Sequence, residues 1–581
     1  MIKLKENYDW VVAGDHPAAL LSAALVAKLG LSVLIVDSKE RPLRALLSMH
    51  SHEKPPQKSS QKSPEKAPSV YSDRVTSRLN EEPNFYLTLR SGLLNDSLKS
   101  LGITDAELAY QLKSGHLPQI LTPEHRVQIK ETSEALDHEF NREFGQKSEL
   151  ILGLLEAVRE SSVEVLEYWR TFPERFTFAL TAEAPESEER QRWPLKKKPK
   201  HLRKAQSFNQ LCRQLLKQKF ASKSSVRFWF KNGFGDGSTL KSKKFSGEKN
   251  ASGELNVLLE GLFAGLFFPL TRSQAASRSR QLQGWTVFQS LHAVILAQSG
   301  SALVGGPGQL KKMLLDAAAR FGAQVISEAA CVGLVSTAGR LTHVKIEGFE
   351  TPVSTRGFLS GTSLSEVKSE ISFDQRRFWD RLKSPLTPVG WSFQIGIRVR
   401  SISLPPGMTS RMIWQQPDSP SLDLELISDP GNPDEMLLML RTVVPYASQS
   451  LDPEFQRVTA ARMFQKLREL LPFLESAVIG IEPEFRTEVH QSSSFQQSEP
   501  CHRWKDIAEI PAHLLIFGGK GVGCRTGIEG LFISSYESFP SLGSFGGFLA
   551  AIEASAWIAH RCGLPGPFAA AATMVAKSEH S

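Results

Sequence analysis

Residues 8–37, YDWVVAGDHPAALLSAALVAKLGLSVLIVD, decide the fold of this chain. The apolar runs predict a short strand at 9–13, a helix rich in alanine and leucine at 18–29, and a second buried strand at 32–36. Gly30 marks the end of the helix, because glycine accepts the left-handed conformation that often follows a last helical turn. Together the three elements have the length of about 30 residues that a βαβ crossover needs.

Asp37 places a carboxylate at the end of the second predicted strand. In βαβ units that bind dinucleotides, the helix N-terminus faces a pyrophosphate, and an acid at the end of the second strand accepts a ribose hydroxyl. The segment therefore predicts a nucleotide-binding architecture.

The glycine-rich motif expected between the first strand and the helix is only partly present. In G-x-G-x-x-G the first glycine makes the turn, the second lets the backbone touch the pyrophosphate, and the third lets helix and strand pack closely. Aligned on Asp37, these positions hold Gly14, His16 and Ala19. Alanine is tolerated at the third position, but a side chain at the second occupies the space of the phosphate oxygens. Three hypotheses follow: a protonated His16 contacts the phosphates, the loop binds no nucleotide, or the loop is shifted.

Length and cysteine content indicate a large protein of a reducing compartment. A chain of 581 residues, 41% of them hydrophobic, is long enough for two or more interlocked domains at about 150 residues per domain. The five cysteines are widely spaced, which argues against disulfides and against a structural zinc site. They are Cys212, Cys331, Cys501, Cys524 and Cys562.

We expect a cytoplasmic protein without a signal peptide or a membrane span. Residues 1–6 carry charges and run directly into the first predicted strand, which is not the pattern of a secretory signal. We find no segment with the roughly 18 consecutive uncharged apolar residues that a membrane span requires.

The net charge of +8 is concentrated in the segment 190–204. An acidic cluster at 183–189 directly precedes it, and adjacent blocks of opposite charge are typical of a solvated loop. We therefore expect no nucleic-acid partner, and the alternative is a peripheral contact of this segment with an anionic membrane surface. The basic residues that account for the whole net charge are Arg190, Arg192, Lys196, Lys197, Lys198, Lys200, Arg203 and Lys204.

Between the first βαβ unit and the middle of the chain, the sequence predicts helices and one insertion. Residues 51–69 contain Pro, Ser, Lys and Gln with almost nothing apolar, so they predict a disordered insertion. Helical spacing of apolar residues predicts helices at 93–101, 149–172 and 208–220. The apolar run 257–270 is interpreted as a buried helix, with the lining of a tunnel for an apolar substrate as the alternative.

The sequence GGPGQLKKMLLDAAARFGAQV, which starts at Gly305, predicts a glycine-rich turn, a helix at 309–321 and a strand at 324–326. A hairpin bent at Ala338 and Gly339 and one closing strand follow. Their strands are predicted at 331–336, 341–346 and 353–359.

A second sheet with a helix on it is predicted farther along the chain. Its clearest strands are at 391–399 and 436–444, and its helix is at 453–471. This part is separate from the nucleotide-binding half.

The C-terminal stretch 530–560 has an apolar strand, a polar turn carrying Glu537, a glycine-rich loop and a helix. Backbone amides at such a helix start can face an anionic or polar cofactor. The alternative is an ordinary packing turn between strand and helix. The loop glycines are Gly543, Gly546 and Gly547.

The order of these pieces resembles the phytoene desaturase and amine oxidase superfamily of FAD-dependent oxidoreductases, and the segment from Gly305 is most similar to its phytoene desaturase-like branch. The resemblance implies an α/β fold, in which a Rossmann-like FAD/NAD(P)-binding domain is interleaved with an α+β substrate domain. The implied FAD-binding segments are 1–50, 301–365 and 501–581. The implied substrate-domain segments are 70–300, which includes the charged loop 183–204, and 366–500.

For the adenosine half of FAD, the resemblance implies five positions in this chain. Gly14, His16 and Ala19 would form the pyrophosphate loop. Asp37 would bind the ribose, and Val332 would pair its backbone with the adenine.

For the rest of the cofactor, the resemblance implies that Glu537 lies near the ribityl chain and the diphosphate. Arg41 would follow the second strand, and Gly546 and Gly547 would lie at the start of the last helix. Residues 550–555 would lie beneath the isoalloxazine. No metal is implied.

The chain departs from the family pattern at three points where the backbone approaches FAD. His16 replaces the second glycine of the loop, Leu43 replaces the first glycine of a Gly-Gly-Arg group, and Ser535 replaces a glycine before the C-terminal acid.

The resemblance implies an FAD-dependent oxidoreductase acting on a small apolar substrate, isoprenoid or carotenoid-like, or on an amine. The flavin would be the reacting group, so no catalytic residue is assigned. The alternative is a non-catalytic member of the same fold that has lost FAD and binds a lipid or a protein.

Overall fold

The computed structural model of the chain describes the following residues: 5–14, 16–37, 92–113, 119–122, 125–128, 130, 132–145, 148, 152, 302–303, 306–327, 329–362, 367, 372–373, 387–406, 408–416, 419–429, 432–445, 452–482, 486–487, 504–505, 512–517, 523–526, 528–538 and 543–568. Several predictions therefore fall outside the described residues. These are the insertion 51–69, the helices 149–172 (apart from Leu152) and 208–220, the charged loop 183–204, the apolar run 257–270, and Arg41.

The helices and strands of the described residues are numbered here in chain order. The helices are α1 Pro17–Lys28, α2 Gly92–Ser100, α3 Asp105–Gln111, α4 Ser133–Phe144, α5 Gly306–Arg320, α6 Pro453–Leu470 and α7 Gly543–Arg561. The strands of the first half are β1 Asn7–Ala13, β2 Val33–Asp37, β3 Leu112–Lys113, β4 Gln119–Leu121, β5 Arg126–Gln128, β6 Ala302–Leu303, β7 Gln324–Ser327, β8 Cys331–Thr337, β9 Arg340–Ile346 and β10 Val353–Ser360. The later strands are β11 Ser372–Phe373, β12 Thr387–Arg400, β13 Arg411–Gln416, β14 Ser419–Asp429, β15 Asn432–Pro445, β16 Val478–Glu482, β17 Arg486–Thr487, β18 Trp504–Lys505, β19 Ala512–Phe517 and β20 Leu531–Ile533.

The first sheet is built around the predicted βαβ unit, which is confirmed. Strand β1 pairs in parallel with β2 on one side and with β10 on the other. Strand β7 extends the parallel part beyond β2, and β20 extends it beyond β10. Strands β8 and β9 continue the sheet in antiparallel pairing beside β10, and the short β11 pairs with β8. The described chain is therefore an α/β fold with a Rossmann-like parallel sheet.

Helix α1 is buried on every side, because its sequence is almost entirely alanine and leucine. All residues from Pro17 to Ala27 are buried, and the helix packs against α5 and α7. The hydroxyl of Ser22 donates a hydrogen bond to the carbonyl of Ala551 in α7 at 3.2 Å. Small side chains on both helices allow this close approach.

The hairpin between β8 and β9 confirms the bend predicted at Ala338 and Gly339. Both residues have positive φ angles, 54° and 78°. Two consecutive residues in this region form the turn whose twist fits the right-handed twist of the flanking strands.

The second sheet has the strand order β16, β12, β15, β14, β13, β4, β5, with β19 also pairing with β12. One face packs its apolar side chains against α6, and this core includes Phe393, Ile395, Leu438 and Leu467. The predicted sheet with a helix on it is therefore confirmed, with longer strands than the sequence pattern predicted.

The opposite face of the second sheet holds a buried network of charged side chains. Asp423 accepts hydrogen bonds from Nε of Arg411 at 2.9 Å and from a terminal nitrogen of the same guanidinium at 2.7 Å. Arg441 lies 3.6 Å from the same carboxylate, contacts Glu425 at 2.7 Å, and donates from Nε to Gln394 at 3.0 Å. Two arginines and two acids balance each other, so the charge is compensated inside the network.

Among the helices within the described ranges, none is both long and apolar enough to cross a bilayer.

Candidate functional site

The candidate site is the edge of the first sheet where its parallel strands end. In register, Ala13 at the end of β1 pairs with Val36 of β2 and with Ser360 of β10, and Ser360 pairs with Ile533 of β20. The chain leaves β1 toward β2, while β10 lies on the other side, so β1 is the switch point of the sheet. Ligands of open α/β sheets bind in the crevice outside such a point.

Two glycines close the ends of β1 and β10. Gly14 has a φ of 118°, a value that side chains resist, and its N–H donates to the carbonyl of Val36 at 3.2 Å. A Cβ on Gly14 would lie 3.4 Å from the Cα of Gly361. The predicted first glycine of the loop is therefore placed in the tight turn that the motif requires.

Gly361 also explains why Ala19 stands where the motif has its third glycine. A Cβ on Gly361 would come within 2.2 Å of the Cβ of Ala19. The space that the helix glycine usually provides is thus provided by a glycine that follows β10. Gly361 was not among the predicted site residues, although its position two residues after the predicted strand 353–359 was a usable signal.

His16 caps the first turn of α1 with its own side chain. Its Nδ1 accepts a hydrogen bond from the N–H of Ala18 at 3.1 Å, and its carbonyl accepts from Ala19 at 2.9 Å and from Leu20 at 3.3 Å. Pro17 has no N–H to offer. The donors at the start of this helix, which a pyrophosphate would use, are therefore engaged by His16 itself.

The geometry of this cap also bears on the protonation of His16. Nδ1 can accept this hydrogen bond only when it carries no proton of its own. A protonated His16 that contacts phosphates would first have to give up the cap. The ring lies beside Phe548 of α7, with 6.4 Å between the ring centroids.

Asp37 lies at the end of β2 and forms an ion pair with a lysine that the sequence analysis did not single out. Its Oδ1 is 3.0 Å from Nζ of Lys311 on α5. The two side chains are partly buried, with exposed fractions of 15% and 31%. The acid predicted for a ribose is therefore present at the edge, next to a cation.

The turn after β20 brings several polar side chains to the same edge. The N–H of Ser534 donates to the carbonyl of Ser360 at 2.7 Å, and the hydroxyls of Ser22 and Ser534 are 3.1 Å apart. The hydroxyl of Ser535 accepts a hydrogen bond from the N–H of Glu537 at 3.3 Å. The Glu537 residue is 1% exposed. The hydroxyl of Ser535 therefore stabilises the turn that carries the buried acid.

Two more predicted site residues begin α7, and one lies in the antiparallel part of the sheet. Gly546 and Gly547 are buried in the first turns of α7. Val332 lies where the register between β8 and β9 shifts, at a bulge between Cys331 and Gly333, and is 39% exposed.

A buried thiol and a buried acid lie beside β20. The carbonyl of Cys524 accepts a hydrogen bond from the N–H of Ile533 at 2.8 Å. Burial raises the pKa of the Cys524 thiol well above its ordinary value, and the charge and hydrogen bond of Glu553 on α7 raise it further. Cys524 is therefore a protonated thiol at neutral pH. This pair was not predicted from the sequence.

The edge fits a dinucleotide in its backbone and at Asp37, whereas the side chain of Glu537 is buried. Gly14 and Gly361 leave no side chains at the strand ends, Asp37 is in place for a ribose, and the Glu537 turn lies two strands from β1. The first turn of α1 fits a pyrophosphate only after the His16 ring has left the amide of Ala18.

The chain was also compared with known proteins. No family model and no curated protein matches the sequence. Among solved structures, wild-type putrescine oxidase bound to putrescine shares 12% identity over 95% of this chain and 99% of its own, with a TM-score of 0.45. Rab GDI from Plasmodium falciparum shares 9% identity over 95% of this chain and 98% of its own, with a TM-score of 0.43. A geranylgeranyl bacteriochlorophyll reductase-like protein from Thermoplasma acidophilum shares 10% identity over 99% of this chain and 84% of its own, with a TM-score of 0.40. At TM-scores below 0.5, these similarities do not assign a cofactor or an activity to the chain.

Proposed function

We propose that this chain binds FAD at the edge formed by β1, β2, β10 and β20 and is an FAD-dependent oxidoreductase. The observation that carries the proposal is the switch point at β1, where Gly14 and Gly361 bring two parallel strand ends together without side chains. An acid lies on each side of this point, Asp37 at the end of β2 and Glu537 in the turn after β20.

Within this proposal, the residues of the edge bind and orient the cofactor. Asp37 accepts the ribose hydroxyls of the adenosine half, and the Gly14 turn lies along the pyrophosphate. Glu537 and the first turns of α7, with Gly546 and Gly547, lie along the rest of the cofactor. Val332 contributes to the adenosine side, and Arg41, which follows β2 in the sequence, is assigned to the rest of the cofactor. When bound, FAD supplies the hydride chemistry.

The substrate in this proposal is small and apolar, isoprenoid or carotenoid-like, or an amine. Within this proposal, the segments 70–300 and 366–500 are assigned to the substrate domain. We also propose a cytoplasmic location. A peripheral membrane contact through the segment 190–204 predicts vesicle binding that weakens with salt and is lost when that segment is neutralised.

A second function is favoured by one observation, the capping of α1 by His16. If the ring stays on the Ala18 amide, the N–H groups of Ala18, Ala19 and Leu20 are all engaged by His16 and do not reach a pyrophosphate. The chain would then be a non-catalytic member of the fold that binds a lipid or a protein.

The absorbance spectrum of the purified protein separates the two functions. We expect the visible bands of oxidised flavin in the protein as purified or after incubation with FAD and gel filtration, and we expect these bands to bleach on reduction. Asp37→Asn is the matched variant, because it keeps the shape of the side chain and should retain less flavin. If no flavin is retained under any loading condition, and His16→Gly does not change this, the oxidoreductase proposal is wrong.

A further inference from the structure

The ion pair between Asp37 and Lys311 lies one strand away from the switch point. Asp37 is the last residue of β2, which pairs directly with β1, and its backbone is in register with Ser327 at the end of β7. Lys311 is in the second turn of α5, the helix that precedes β7. The lysine therefore reaches the end of β2 from the helix that precedes the neighbouring strand in the chain.

The pair changes what the Asp37 carboxylate can do. Lys311 engages one oxygen, Oδ1, at 3.0 Å. A carboxylate accepts hydrogen bonds through two oxygens, so the second oxygen keeps its own acceptor positions. Because both side chains are partly buried, their attraction is screened less than that of a surface pair. The carboxylate is thus held in one orientation and its charge is compensated before any ligand arrives.

We infer that Lys311 is a positioning residue, which holds Asp37 so that its second oxygen accepts the ribose 2′-hydroxyl of an adenosine nucleotide. This inference rests on the proposed function and names the ligand group that the β2 end selects. The selected group is an adenosine ribose with a free 2′-hydroxyl, as opposed to a 2′-deoxyribose.

The test measures how well the protein distinguishes ADP from 2′-deoxy-ADP. Both are titrated calorimetrically into the wild type and into Lys311→Met, Lys311→Arg and Lys312→Met. Lys312 is the next residue on α5 and is exposed, so Lys312→Met removes the same charge without touching Asp37. The series is repeated in the His16→Gly background, in which the cap no longer competes for the pyrophosphate.

We expect the wild type to prefer ADP about tenfold or more, the usual effect of a hydrogen bond to a charged group. Lys311→Met should lose most of this preference, with a smaller change in its affinity for 2′-deoxy-ADP. Lys311→Arg and Lys312→Met should keep it. If Lys311 had only a structural role, Lys311→Met would weaken the binding of both nucleotides equally. Thermal unfolding of each variant shows whether its fold is retained.

Two outcomes contradict the inference in different ways. If ADP binds but Lys311→Met keeps the full preference, or if the wild type does not distinguish the nucleotides, Lys311 does not position Asp37 and the proposed function stands. If neither nucleotide binds the wild type or His16→Gly, the proposed function fails, and the inference fails with it.

Discussion

Gly361 lies against Ala19 so closely that a Cβ atom on Gly361 would be 2.2 Å from the Cβ of Ala19. The contact joins the end of β10 to the first turn of α1. Gly361 is also fixed by its N–H, which donates to the carbonyl of Ala13 at 2.7 Å. Dinucleotide-binding loops usually obtain this close packing from a glycine on the helix. In this chain the glycine is on the strand side and the methyl group is on the helix side.

Gly361→Ala should lower the free energy of unfolding by about 2–3 kcal/mol, because an added methyl group in a rigid buried contact forces the backbone to shift. Adding Ala19→Gly should recover much of this loss, since the methyl group is then moved and not added. Urea unfolding of the single and double variants measures both effects. Gly308→Ala is the control, because no atom lies within 4 Å of its added Cβ. Equal losses in the single and double variants would show that the contact with Ala19 is not the cause.

His16→Gly should raise the affinity for FAD about fivefold. The bound pyrophosphate must otherwise displace a capping hydrogen bond worth about 1 kcal/mol. His16→Asn keeps a good capping side chain, so it should raise the affinity less. Flavin fluorescence quenching measures both. A lower affinity in His16→Gly would instead support the hypothesis that His16 contacts the phosphates.

The sequence predicted the architecture well where periodicity was strong. The elements β1, α1 and β2 follow from uninterrupted apolar runs, and the hairpin at Ala338 follows from an exposed turn between alternating strands. The buried charges of the second sheet could not be predicted, because Arg411, Asp423 and Arg441 lie on three different strands and only the strand register brings them together.

The candidate site was predictable only in its local part. Gly14, His16 and Asp37 are placed by the βαβ unit, so their spacing was sufficient. Lys311 and Gly361 belong to the same edge, but they reach it through strand pairing with distant segments, and sequence spacing carries no information about that. The capping role of His16 depends on a side-chain conformation, which no residue pattern specifies.

Asp423→Asn should destabilise the protein by about 3 kcal/mol, because it removes the charge that compensates two buried guanidinium groups. Arg411 and Asp423 side chains are 3% and 6% exposed. Glu425→Gln is the matched control at the same network. Its side chain is 31% exposed, so water screens the loss, and the cost should be about 1 kcal/mol or less. Thermal and urea unfolding compare the two, and equal costs would contradict the role assigned to burial.

Cys331 should make the stability of the protein depend on pH in the alkaline range. Burial raises the pKa of its thiol from 9.0 to about 12, because a thiolate is poorly solvated in the apolar core. The unfolded chain releases this proton above pH 9, while the folded chain keeps it until about pH 12. The contribution is therefore fully present below pH 9 and is lost progressively as the pH rises from 9 toward 12. Between pH 8 and pH 10 the wild type should lose about 1.3 kcal/mol more of its unfolding free energy than Cys331→Ala does. Urea unfolding at both pH values measures the difference, and the comparison cancels the titration of all other groups. Equal losses in the two proteins would show that the thiol at position 331 has the same pKa in the folded and unfolded chains.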